Sequence, residues 1–194
     1  AGVELVQSQM DEWRIAANIA IALLPSDLVK NLCSRDHKIG IVFWANNEYW
    51  AGALVTKEGD IFINLTPKRD IPELQTLNEW PLRSEEITSA YVFTVLHEIG
   101  HLYGRIKHYY VFEKLYNGDN LRVDSEQVPT KYVQARASKR EDFAESFALY
   151  VLWPEYLKQN FPQRYVEIRK LVKTEFPSSD FKMPGYLKDQ LTVR

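Results

Sequence analysis

VFTVLHEIGHLYG, residues 92–104, places two histidines and a glutamate in the pattern H-E-x-x-H inside an apolar run. Residues four apart on a helix lie on one face about a turn apart, so His97 and His101 can each aim a ring nitrogen at one point. Glu98 is turned by about 100° from His97 and stands beside that point rather than on it. The spacing therefore separates two ligands from a base, as a zinc site that activates water requires. Val92, Val95, Leu96, Ile99 and Leu102 surround the trio with apolar side chains, which makes this a buried helix. Three ionisable groups in one buried turn cost several kcal/mol unless they are paired or bind a metal. We read His97 and His101 as metal ligands and Zn2+ as the cofactor, against the alternative of ordinary core histidines.

Catalytic zinc takes three protein ligands and keeps one open position. The following residues, HEIGHLYGRIKH, nearly fit H-E-x-x-H-x-x-G-x-x-H, with Gly104 in register. Lys107 occupies the third-ligand position and His108 comes one residue late, so this pattern is set aside. The better source is SKREDFAESFALY, residues 138–150. Glu141, Ala144, Glu145 and Ala148 share one helical face, opposite Phe143, Phe147, Tyr150 and Val151. The alanines permit a close helix approach, so a carboxylate can reach a neighbour's metal. Glu141 is expected as third ligand, with Glu145 as its substitute. The acid left over, or Asp142, is expected to accept a hydrogen bond from a ligating histidine. The competing reading makes Ser138 and Glu141 a capping box, S-x-x-E.

Outside these segments the chain reads as one domain over residues 1–194. Its 194 residues are too few for two comfortable cores, and a composition of 45% hydrophobic and 26% charged residues is that of a globular protein. A net charge of -2 with scattered Lys and Arg leaves no basic footprint, so nucleic acid is not an expected partner. The longest apolar run, residues 15–25, is too short to span a bilayer, so no membrane is expected either. A single cysteine, Cys33, excludes an intrachain disulfide.

Apolar spacing predicts helix over residues 1–32, broken at Pro25 and restarted behind Ser26. IGIVFW, YWAGALVT and DIFINL then read as three strands, the last two joined by KEG. Pro67, Pro72 and Pro81 mark an irregular connection up to a cap at Ser84. Helices are expected at about 84–104, 106–117, 139–152 and 162–175. This order predicts an α+β class: a small mixed sheet packed on the active-site helix, with a mainly helical C-terminal half. Trp44, Trp50, Trp80, Tyr49, Tyr109 and Tyr110 are candidates to line a cleft.

Over residues 84–172 the chain resembles the zinc peptidases that include the anthrax lethal factor catalytic domain and the bacterial Pro-Pro endopeptidases. The resemblance rests on H-E-x-G-H at 97–101, EDFAESFALYV, and the proline with LKQNFPQRY that follows. It implies a zincin fold of gluzincin type, whose edge strand pairs with the substrate, and peptide hydrolysis with Glu98 as general base. It also implies zinc on His97, His101 and Glu141, with Glu145 in support. A protein or peptide is the implied substrate, and a secreted bacterial protein is the implied setting; a monomer is our own expectation. The family places a tyrosine for the oxyanion seven residues before the zinc-binding glutamate, where this chain has Gln134. Tyr132 is nearest, and an extended KYVQAR would point residues 132 and 134 the same way. The catalytic candidates are therefore Glu98, Tyr132 and Gln134. A degenerate, non-catalytic module that binds peptide or a partner protein is the alternative.

Overall fold

The computed structural model describes residues 2–33, 41–44, 53–55, 61–64, 87–105, 109–117, 120–121, 127–136, 138–177 and 181. Two helices open the chain, α1 (Gly2–Leu23) and α2 (Ser26–Cys33), with a bend of 112° between them. Pro25 sits at that bend, as the sequence indicates: the residue before a proline is driven out of the helical region. Three short strands follow, β1 (Ile41–Trp44), β2 (Ala53–Val55) and β3 (Ile61–Asn64). β3 lies between the other two, parallel to β1 and antiparallel to β2. Next come α3 (Ile87–Arg105), a 3-10 helix (Tyr109–Leu115), and the two-residue strands β4 (Tyr116–Asn117) and β5 (Asn120–Leu121). Four more helices follow among the described residues: α4 (Lys131–Arg136), α5 (Lys139–Leu152), α6 (Pro154–Asn160) and α7 (Pro162–Glu175).

The expected class is corrected by this element list. Among the described residues the protein is mainly helical, not α+β, and its strands are short. The described strands span four, three and four residues, against a usual five or six. Strand propensity reports how well a residue suits a pleated surface, and neighbouring helices decide how much of that surface forms.

The centre of the molecule is the pair α3 and α5. Every residue of α5 from Asp142 to Leu152 is buried, as expected of a helix enclosed on all sides. On α3, Val92, Phe93, Val95, Leu96, Ile99 and Tyr103 are buried as well. Gly100 is a point of close approach: a Cβ built there would stand 2.9 Å from the Ala144 Cα and 3.3 Å from the Phe147 Cβ. Glycine against alanine thus removes about one side-chain layer between the two backbones. This contact lets a carboxylate on α5 reach the histidine face of α3. α1 covers α3 from the other side, with Trp13 stacked on Tyr91 at 4.0 Å between ring centroids.

α6 and α7 each begin with proline, at Pro154 and Pro162, a position where the missing N–H costs nothing. α6 is an addition to the expected helices, and Pro154 was its available signal. The expected helix over 106–117 is, in its described part, a 3-10 helix over Tyr109–Leu115 followed by β4. Among the described residues, no single helix is long and apolar enough to cross a membrane.

Candidate metal centre

His97 and His101 come from α3 and Glu141 from the first turn of α5. One ligand atom from each lies within 4.8 Å of the others. The Nε2 atoms of both histidines approach the same carboxylate oxygen, Glu141 Oε2, each at 3.2 Å. A tetrahedral zinc with bonds of about 2.0–2.1 Å holds its ligand atoms about 3.3–3.4 Å apart. The spacing of the three side chains therefore suits such an ion. Glu141 reaches the histidines rather than its own helix end: Ser138 occupies the N-cap of α5, but no side-chain cap hydrogen bond forms there.

Proton positions support the same reading. His97 Nδ1 lies 2.7 Å from Glu145 Oε1, and an ionised carboxylate can only accept. Nδ1 therefore carries a proton, which leaves Nε2 directed at Glu141. Two negative or lone-pair atoms facing each other at 3.2 Å need a cation between them, either a proton or a metal. In the metal-free protein a proton fills the role. Burial works against a charged His97. Hydrogen bonds to Glu141 and Glu145, with the charges of Glu145 and Glu98, outweigh that and hold it well above 6.5. Burial likewise favours protonated Glu141, but the hydrogen bonds and charges of His101 and His97 hold it well below 4.5.

These directions fix a pH dependence. A raised His97 stabilises the metal-free fold fully below its ordinary 6.5 and ceases to do so as pH rises through the folded value. A lowered Glu141 contributes above its ordinary 4.5 and is lost as pH falls through the folded value. Zinc held there would have to displace the His97 proton, so its binding would strengthen as pH rises. The increase in Tm caused by added zinc will be larger in mildly alkaline than in mildly acidic buffer. Thermal denaturation with and without zinc across that range checks this, and a constant or shrinking increment would contradict it.

The remaining candidates separate clearly. Glu145 is the acid that supports His97. Asp142 faces away: its carboxylate accepts from Arg164 Nε and Nη2 at 2.7 Å each, from Tyr116 Oη at 2.6 Å and from Ser146 Oγ at 3.1 Å. The expected support of a ligating histidine by Asp142 is therefore corrected, because a turn of about 100° from Glu141 directs it at α7 instead. Glu98 is buried on α3, and its charge acts on His97.

KYVQAR is helical, not extended, and this corrects the pairing of Tyr132 with Gln134. Thr130 starts the helix, its Oγ1 accepting from the Val133 N–H at 3.0 Å, as an N-cap threonine does. Residues 132 and 134 then point about 200° apart. The Tyr132 ring stands edge-on to His97, with centroids 5.8 Å apart, and Gln134 is exposed.

Tyr109 is a site residue whose role the sequence did not disclose. Its hydroxyl donates to the His101 carbonyl at 3.1 Å and lies 3.2 Å from His101 Nδ1. Tyr110 is exposed. The side chain of Trp44, and Tyr49, Trp50, Trp80, Ser84, Lys107 and His108, lie outside the described residues. Comparison with protein-family models, curated proteins and solved structures finds no match for this chain.

Proposed function

We propose that this protein is a zinc-dependent endopeptidase. The observation that carries the reading is the convergence of His97 Nε2 and His101 Nε2 on Glu141 Oε2, with Glu98 beside them on α3. Its motifs also resemble those of the lethal factor and Pro-Pro endopeptidase group. His97, His101 and Glu141 would hold the ion. Bound there, zinc supplies a Lewis acid that makes water a nucleophile at neutral pH and polarises a carbonyl.

The chain's own residues do the rest. Glu98 accepts the proton of the attacking water and returns it to the leaving amine, so one carboxylate serves as base and then as acid. Glu145 holds His97 with its Nδ1 proton inward, which keeps Nε2 directed at the site. Tyr132 is the hydroxyl donor beside His97 for the oxyanion that develops as the carbonyl is attacked.

The test is cleavage of a peptide library by the zinc-loaded protein, with chelated protein as control. Zinc-dependent cleavage is expected, and retention of peptide without turnover would favour a binding module instead. In the same assay Tyr132→Phe should lower kcat by about 10²–10³, the effect of losing an oxyanion donor. Gln134→Ala should leave it unchanged, and a reversed result would assign the oxyanion to Gln134.

A further inference from the structure

We infer that Tyr109 is a positioning residue for the metal, acting through His101; this rests on the zinc reading above. The two histidines are supported differently. His97 gives its Nδ1 proton to a carboxylate, Glu145, at 2.7 Å. His101 Nδ1 lies 3.2 Å from the Tyr109 hydroxyl, which also donates to the His101 carbonyl at 3.1 Å. A phenol has one proton. Spent on the carbonyl, it leaves the Tyr109 oxygen as acceptor for the Nδ1–H of His101. That ring then carries its proton on Nδ1, and Nε2 is free to bind a metal. A second hydrogen bond on the same residue fixes the ring's rotation as well as its tautomer.

The surroundings of Tyr109 are shaped for this contact. Gly104 lies one turn beyond Gly100 on α3, and a Cβ built on it would run into the Tyr109 ring, 2.7 Å from Cζ. Only glycine there lets the ring lie flat against the helix and bring its hydroxyl back to His101. Phe143 meets the ring edge-on at 5.5 Å, and the Arg140 guanidinium stands 5.8 Å from its centroid. Both belong to α5, the helix that carries Glu141. Gly104, which by position alone suggested a different zinc motif, thus has a local purpose in seating Tyr109.

The experiment is competitive zinc titration of the parent, Tyr109→Phe and Gly104→Ala, with far-ultraviolet circular dichroism to establish that each is folded. Tyr109→Phe keeps the ring and loses the hydroxyl, and its zinc affinity should fall by about 10–100-fold, as for other lost partners of ligating histidines. Gly104→Ala keeps the hydroxyl but displaces the ring and should weaken binding in the same direction. Proton NMR of the zinc-loaded protein gives a second readout. The Nδ1–H resonance of His101, sheltered by Tyr109 in the parent, should broaden or vanish in Tyr109→Phe, while that of His97 on Glu145 persists. A Tyr109→Phe protein that binds zinc as tightly as the parent and keeps the His101 resonance would overturn the inference and leave the zinc reading intact. A folded parent that binds no zinc would overturn both.

Discussion

Replacing Glu98 with Gln is expected to leave zinc bound and to lower peptide hydrolysis by about 10²–10⁴-fold, the range for loss of a positioned general base. The substitution preserves shape in a buried place on α3 and removes only the ability to accept a proton. The ligand atoms should be undisturbed, because Glu98 projects about 100° around the helix from His97. One electrostatic change accompanies the loss: the charge of Glu98 helps hold the proton on His97. Its removal makes that proton easier to displace, so zinc should not be lost on that account. Kinetics and metal content measured on one preparation separate the two functions. Full activity in Glu98→Gln would remove this residue from the mechanism, and lost zinc would make it a ligand.

The second large effect lies behind the site. Arg164→Met is expected to destabilise the protein by about 3–5 kcal/mol, since it leaves the Asp142 carboxylate buried without its cation. The side chains of Asp142 and Arg164 are both fully buried and meet through two hydrogen bonds of 2.7 Å. Tyr116 and Ser146 complete the carboxylate's partners, and burial together with the Asp142 charge pushes the Tyr116 phenol well above its ordinary 10. Arg164 also stands 6.0 Å from the centre of the Phe112 ring. Against a usual stability of about 5–15 kcal/mol, such a loss is a large part of the whole. Urea denaturation should show a much lower midpoint, with partial recovery in the double variant Asp142→Asn and Arg164→Met, where no charge is stranded. An unchanged midpoint in the single variant would contradict this account of how the first turn of α5 is held.

The candidate metal site was legible where one helix determines it. His97, Glu98 and His101 follow from the spacing of residues on α3, and Glu141 with Glu145 follows from the small-residue face of α5. The alanines were the useful signal: Ala144 meets Gly100 where the two backbones come close. Contacts decided by the tertiary fold were not legible. Tyr109, the first residue of the 3-10 helix, meets His101 eight residues earlier, and nothing in its neighbours announces the bond. Arg164 belongs to α7, and Asp142, adjacent to Glu141, looked equally suited to the histidines until the packing of that helix turned it away. Tyr132 and Gln134 were misread as neighbours because a single cap at Thr130 converts a strand-like hexapeptide into a helix. The fold class was not legible for a related reason: β-branched runs announce strands, but helices make up most of the described residues.

The most direct measurement is zinc per chain by mass spectrometry, for the parent and Glu141→Ala purified in the same buffer. The account predicts one zinc per chain in the parent and far less in the variant, because one carboxylate oxygen joins both histidines. A well-folded parent that holds no zinc, even after zinc is supplied, would contradict it and return His97, His101 and Glu141 to a buried, proton-bridged cluster.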